Sequence, residues 1–187
     1  MYYSAIKNLD IANGPGCRVS LFVSGCRNHC PGCFQPETWD FKYGKSFDRE
    51  AKEKTFELLK NPHIKGLSIL GGDPMEPENL FKLTDLCFEF RLLYPNKTIW
   101  LWTGYLWKDI KDFEIMNYLD VVVDGPFIES RRNLMLPYCG SDNQRVIDVQ
   151  KSRLEGTVRL WWDPTKSYED IMMGKIFDDG SREKQLL

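Results

Sequence analysis

Short runs of β-branched and aromatic residues alternate along this chain with longer stretches whose apolar positions recur every three or four residues. Arg18 to Val23 (Arg-Val-Ser-Leu-Phe-Val) reads as a strand, entered from the turn signal Asn13-Gly14-Pro15-Gly16. Residues 48–60 read as a helix with Ala51, Thr55, Leu58 and Leu59 on one side. Leu67-Ser68-Ile69-Leu70 is a short buried strand that ends in Gly71-Gly72-Asp73-Pro74. From Pro77 to Tyr94 the period is plainly helical, with Leu80, Leu83, Cys87, Phe90 and Tyr94 in register, Pro77 in the first turn and Pro95 as the stop. Thr98 to Trp102 is the next strand, and 106–118 reads as a second amphipathic helix through Leu106, Ile110, Phe113 and Asn117. Leu119 to Asp124 is a strand ending in Gly125-Pro126, and further strands are expected at 145–149 and 157–161.

Strand and helix in alternation predict an α/β fold with parallel strands. The residues least expected of a plain core fall in the loops after strands: the cysteines that follow Val23, then Gly71-Gly72-Asp73-Pro74, Thr103-Gly104-Tyr105 and Asp124-Gly125. In parallel α/β folds those loops collect at one end, where sites form. About four strand–helix units precede residue 130, too few for a closed eight-stranded barrel. The expected architecture is an incomplete parallel (β/α) barrel open on one side, which would admit a large substrate such as a loop of another protein.

The sharpest chemistry is Cys26-x-x-x-Cys30-x-x-Cys33. Three thiolates on one loop can hold three irons of a cubic [4Fe–4S] cluster and leave the fourth open, whereas electron-transfer ferredoxins close theirs with four cysteines. An open iron is a place for a substrate or cofactor, so the loop points to catalysis. The competing reading is structural zinc in a Cys₃His set completed by His29; it is weakened by the adjacency of His29 to Cys30 and by the lack of a second C-x-x-C pair. Cys87 lies on the apolar stripe of its helix and reads as a small core residue, while Cys17 and Cys139 have no partner at ligand spacing. His63 follows Pro62 and reads as solvated. No G-x-S-x-G elbow and no phosphate-loop motif occurs.

Composition narrows the class further. The 187 residues carry 25 Lys+Arg against 27 Asp+Glu, a net charge of −2, so nothing predicts an electrostatic partnership with nucleic acid. No run approaches the roughly 20 apolar residues of a membrane span, and the N-terminus lacks the charged and apolar regions of a signal peptide. Six cysteines without export read as thiols or ligands in a reducing cytoplasm.

The cysteine loop resembles that of the radical S-adenosylmethionine (SAM) enzymes, in which SAM chelates the open iron. Gly71-Gly72-Asp73-Pro74 resembles the Gly-Gly-Glu-type motif of the same enzymes, whose backbone accepts hydrogen bonds from the SAM amino group; here Asp73 stands where Glu is common. Beyond these, Asp10 to Gly16, Leu21 to Cys26, Cys30-Pro31-Gly32-Cys33, Ser68 to Pro74, Trp100-Leu101-Trp102-Thr103-Gly104-Tyr105, Val122 to Gly125 and Gly140-Ser141-Asp142-Asn143-Gln144-Arg145 resemble the activating enzymes of anaerobic (class III) ribonucleotide reductase. The resemblance implies a partial barrel of the radical SAM type, one [4Fe–4S] cluster on Cys26, Cys30 and Cys33, and SAM contacts from Gly32, Phe34, Gly71, Gly72 and Asp73. The usual aromatic after the third cysteine is Tyr, and Phe34 lacks its hydroxyl. It implies further that SAM is cleaved reductively and that a glycyl radical forms on the large reductase subunit, with electrons from an external flavodoxin-like reductant. Activation of another glycyl-radical enzyme, small-molecule radical chemistry and a non-catalytic metal module are the alternatives. The resemblance covers residues 1–150. Residues 151–187 are expected to be an extension, either a loosely docked tail or a reductase contact anchored by Trp161 or Trp162.

Overall fold

The computed structural model describes residues 1–162; most of the expected C-terminal extension, residues 163–187, lies outside them. Strands β1 (Tyr2–Asp10), β2 (Cys17–Val23), β3 (Lys45–Ser46), β4 (Ile64–Gly71), β5 (Thr98–Trp102), β6 (Val121–Asp124) and β7 (Arg145–Asp148) form one open sheet in the order β3-β1-β2-β4-β5-β6-β7. The α/β expectation is borne out, but not the purely parallel one. β2, β4, β5 and β6 run parallel, while β1, β3 and β7 run antiparallel to their neighbours and form the margins.

Helices α1 (Arg49–Leu59), α2 (Pro77–Leu93), α3 (Trp107–Ile110) and α4 (Val149–Glu155) supply the crossovers and the C-terminal turn. Asp48 caps α1 by accepting from the Ala51 N–H at 3.0 Å. Pro77 opens α2 at a position whose N–H has no helical partner. The anticipated strand and helix at 98–102 and 77–94 appear with nearly those limits. The anticipated helix over 106–118 does not. Phe113 is extended (φ −70°, ψ 143°) and separates α3 from a 3₁₀ turn at Glu114–Asn117. That break turns Ile115 and Met116 fully inward, whereas Leu106 and Phe113 of the expected stripe stay partly exposed. The expected strand at 157–161 reduces to a single bridge, Leu160 to Ile147. β1 gave no alternation because its pairing with β2 is interrupted by irregularities after Tyr3 and Lys7, and Leu9 sits at φ +54°.

Period-two alternation sends each strand's side chains to opposite faces. Val19, Leu21, Leu67, Ile69, Ile99, Leu101 and Val122 meet Leu59 of α1, Leu83, Cys87 and Phe90 of α2, and Ile110 of α3 in the main core. The opposite face carries Trp100, Val121, Val123 and Val146 under Trp102, Tyr138, Cys139, Trp161 and Trp162. Trp161 stands edge-on to Trp100 at 4.6 Å, and Trp161 and Trp162 both pack, half-buried, against this second core.

Arg18 is the charged member of that second face and is fully buried. It donates to Ser68 Oγ at 2.7 Å, Thr98 Oγ1 at 2.9 Å, the Leu67 carbonyl at 2.9 Å and the Thr98 carbonyl at 3.0 Å, stitching β2 to β4 and β5. Burial pulls its guanidinium down to about 10, which still leaves it charged at neutral pH. Arg18→Ala would orphan these acceptors in a dry site. We expect a loss of about 3 kcal/mol of unfolding free energy, read as a lower urea midpoint with an unchanged slope.

Candidate iron–sulfur site

The carboxyl ends of the parallel strands converge, as the sequence anticipated, and the cysteine loop leaves from β2. Cys30-Pro31-Gly32-Cys33 is a tight turn in which the Cys33 N–H donates to the Cys30 carbonyl at 3.2 Å. Pro31 presets the first central position and Gly32 takes φ +71° at the second, the signature of a type II turn. The turn brings Cys30 and Cys33 close enough to interact electrostatically. Cys26 is buried, and Cys30 and Cys33 are half-buried; all three are free thiols. Among the described residues no three His, Cys, Asp or Glu side chains gather closely enough to hold one metal ion.

Burial pushes the Cys26 and Cys30 thiols up, and the nearby main-chain N–H groups, those of Asn28 and His29 for Cys26 and that of Phe127 for Cys30, pull them the other way. Three free thiols on one loop, two of them joined by a tight turn and set among main-chain amides that favour anionic sulfur, fit a [4Fe–4S] group on Cys26, Cys30 and Cys33. His29, the candidate fourth zinc ligand, lays its ring on Trp39 with centroids 4.6 Å apart.

The expected SAM contacts divide into two groups. Gly32 and Phe34 are exposed. Phe34 is 68% exposed, tilted against Phe127 and beneath the Arg132 guanidinium at 5.2 Å. Gly71, Gly72 and Asp73 lie behind the cysteine loop. A Cβ on Gly71 (φ +112°) would stand 2.5 Å from the Val23 carbonyl oxygen, and one on Gly72 would stand 2.6 Å from that of Gly25. The pair therefore lacks side chains because β2 and the start of the cysteine loop pass there, and not only to leave space for a ligand. The backbone seals the contact: the Gly72 N–H donates to Val23 O and the Asp73 N–H to Gly25 O, both at 2.7 Å.

Asp73 is 1% exposed and accepts from Asn28, Met75, Thr103 and Gly104. Burial pushes its carboxyl up to about 6, against the pull of the Thr103, Met75 and Gly104 donors. Two residues at this rim, Glu76 and Asn79, escaped the sequence reading. Glu76, also 1% exposed, accepts from the Arg27 N–H at 2.8 Å and pairs with the Arg27 guanidinium, which lies over Phe41 at 4.4 Å. Asn79 Nδ2 donates to the carbonyls of Ser24 and Asp73 at 3.0 and 2.9 Å. Asp124, buried at the end of β6, accepts from the Trp107 N–H at 2.8 Å and from Arg145 Nε at 2.9 Å. The Gly140 to Arg145 block supports the same rim: Asn143 Nδ2 donates to Pro126 O at 2.7 Å and Gln144 Nε2 to Gly125 O at 3.0 Å. Cys17 opens β2 at the far end, Cys87 is fully buried in α2, Cys139 belongs to the second core, and His63 is exposed.

A family model described as a 4Fe-4S single cluster domain matches residues 12–147. A protein of Enterobacteria phage T4 named anaerobic ribonucleoside-triphosphate reductase-activating protein is 40% identical over 146 residues, covering 78% of this chain and 93% of its own. Proteins of the same name from Vibrio cholerae serotype O1 and Escherichia coli K12 are 41% and 37% identical, over 77% and 78% of this chain and 96% and 97% of theirs. The chain belongs to the family of anaerobic ribonucleoside-triphosphate reductase-activating proteins. In this member of the reductase-activating family, the cysteine loop and the Gly71–Asp73 turn both fall within the residues matched by the 4Fe-4S model. No helix among the described residues is long and apolar enough to cross a membrane.

Gly72→Ala would force the cysteine loop off its seat, a strain of about 1–3 kcal/mol. We expect the far-UV circular dichroism to be kept, while iron bound after anaerobic reconstitution falls well below that of the wild type.

Proposed function

We propose that this protein activates an anaerobic ribonucleoside-triphosphate reductase, with Cys26, Cys30 and Cys33 as the ligands of a [4Fe–4S] cluster and SAM as its co-substrate. The observation that carries the reading is the three-thiol loop without a fourth cysteine beside it: Cys17, Cys87 and Cys139 all lie elsewhere in the fold. When bound, the cluster and SAM together supply one-electron cleavage of the sulfonium C–S bond, and with it the hydrogen abstraction that leaves a glycyl radical on the large reductase subunit.

The chain's own residues hold, orient and exclude. The Asn28, His29 and Phe127 amides stabilise anionic sulfur. The Gly71–Gly72 backbone, Asp73, Gly32 and Phe34 would frame the space assigned to SAM, and the exposed Phe34 ring would offer an apolar face to its adenine. Met75 and Trp107, both buried near the turn ends, exclude water from the loops' roots. We assign the sheet to the incomplete-barrel architecture of radical SAM enzymes; its parallel centre, with helices packed on one face and site loops at one end, supports that assignment. The working unit is assigned to residues 1–150, with 151–187 as an extension whose Trp161 packs back onto Trp100. A cytoplasmic setting and an external flavodoxin-like reductant complete the reading, since a low-potential electron is required and free thiols are kept.

Anaerobically reconstituted protein, reduced and given SAM, should yield 5′-deoxyadenosine and methionine. Cys26→Ala, Cys30→Ala and Cys33→Ala should each fall to background. With the reductase added, an EPR doublet from a glycyl radical should appear. A colourless zinc-loaded protein that leaves SAM intact would overturn the assignment.

A further inference from the structure

Two of the loops at the site's rim meet through one side chain. Asp73 Oδ1 accepts from Thr103 Oγ1 at 2.7 Å and from the Met75 N–H at 3.0 Å. Its Oδ2 accepts from the Gly104 N–H and from Asn28 Nδ2, both at 2.9 Å. Four donors saturate the lone pairs of a carboxylate. They come from three places: the cysteine loop, the turn after β4 and the loop after β5. Thr103 Oγ1 in turn accepts from the Tyr105 N–H at 3.1 Å, which extends the chain of bonds along the third loop. The fit is close as well as polar, because a Cβ on Gly104 would stand 2.2 Å from Asn28 Nδ2.

We propose that Asp73 is a positioning residue: its carboxylate latches Asn28 of the cysteine loop to Thr103 and Gly104 of the β5 loop, and so sets how the cluster ligands face the space that SAM occupies. This rests on the functional reading above and deepens it. With every lone pair engaged, the Asp73 carboxylate has no site left for the SAM amino group. It acts through Asn28 and Thr103, and any contact with SAM from this turn is left to the backbone. Asn at this position would be the same size, but it would turn one acceptor into an NH₂ group facing donors. In a buried network of this kind the loss spreads to the remaining bonds.

The latch predicts shared, not independent, effects. The measurement is a SAM titration of the reduced, reconstituted protein, following the cluster's EPR signal, beside iron and sulfide assays. Asp73→Asn, Asn28→Ala and Thr103→Val should each keep the cluster and raise the apparent Kd for SAM about tenfold. Thr103→Ser, which keeps the hydroxyl, should stay near the wild type. The double variant Asp73→Asn/Asn28→Ala should bind SAM no more weakly than Asp73→Asn alone, because both ends of one latch are already open. Losses that multiply to about a hundredfold in the double variant would overturn the proposal and place Asp73 in independent contact with SAM. Wild-type affinity in Asp73→Asn would overturn it too. If Asp73→Asn fails to fold, wild-type affinity in both Asn28→Ala and Thr103→Val does the same. A wild type whose signal ignores SAM would instead overturn the functional reading, and the latch with it.

Discussion

The site depends on the pairing of β2 with β4 running past the ends of both strands. Register holds from Val19–Leu67 to Val23–Gly71, and then the Gly72 and Asp73 amides continue it onto the carbonyls of Val23 and Gly25. A sheet that stopped at Val23 would leave the cysteine loop to find its own place. Because the two backbones remain in contact through Gly25, the first ligand inherits the rigidity of the sheet. The absence of side chains at Gly71 and Gly72 is the condition for that contact.

Burying charge beside the ligands is costly unless each group is matched. Glu76 is matched by Arg27, which sits next to Cys26 in the chain, and Asp124 by Arg145. Asp73 has no cation and relies on four neutral donors instead. The result is a rim whose buried carboxylates are directed at the loops or at the ends of the elements those loops join. The loops at the ends of β2, β4, β5 and β6 are therefore held to one another by polar bonds, while the apolar core beneath holds only the strands and helices.

What could be read in advance followed from periodicity and from local chemistry. α2 showed itself because Leu83, Cys87 and Phe90 recur on one face, and β5 because Ile99 and Leu101 alternate with Trp100 and Trp102. The cysteine loop and the Gly71–Asp73 turn stood out by residue type alone. The helix expected over 106–118 misled because its apolar spacing suits either a straight helix or two short turns, and the extended Phe113 decides between them. β1 was hidden by its bulges. Arg27 and Glu76 lie 49 positions apart, and nothing local marks either as the other's partner. Asp73 was noticed as a motif residue, but its role as an acceptor for three loops depends on Thr103 and Asn28 arriving from distant parts of the chain.

β3 is only two residues long, yet it returns the chain to β1 through Tyr2–Ser46 and Tyr3–Lys45 just after the cysteine loop. The ligand-bearing excursion is thus closed at both ends by the sheet. The conformational entropy of joining its ends is lost when the protein folds, and little of it remains to be lost when iron arrives. Folding and metal loading become separable events.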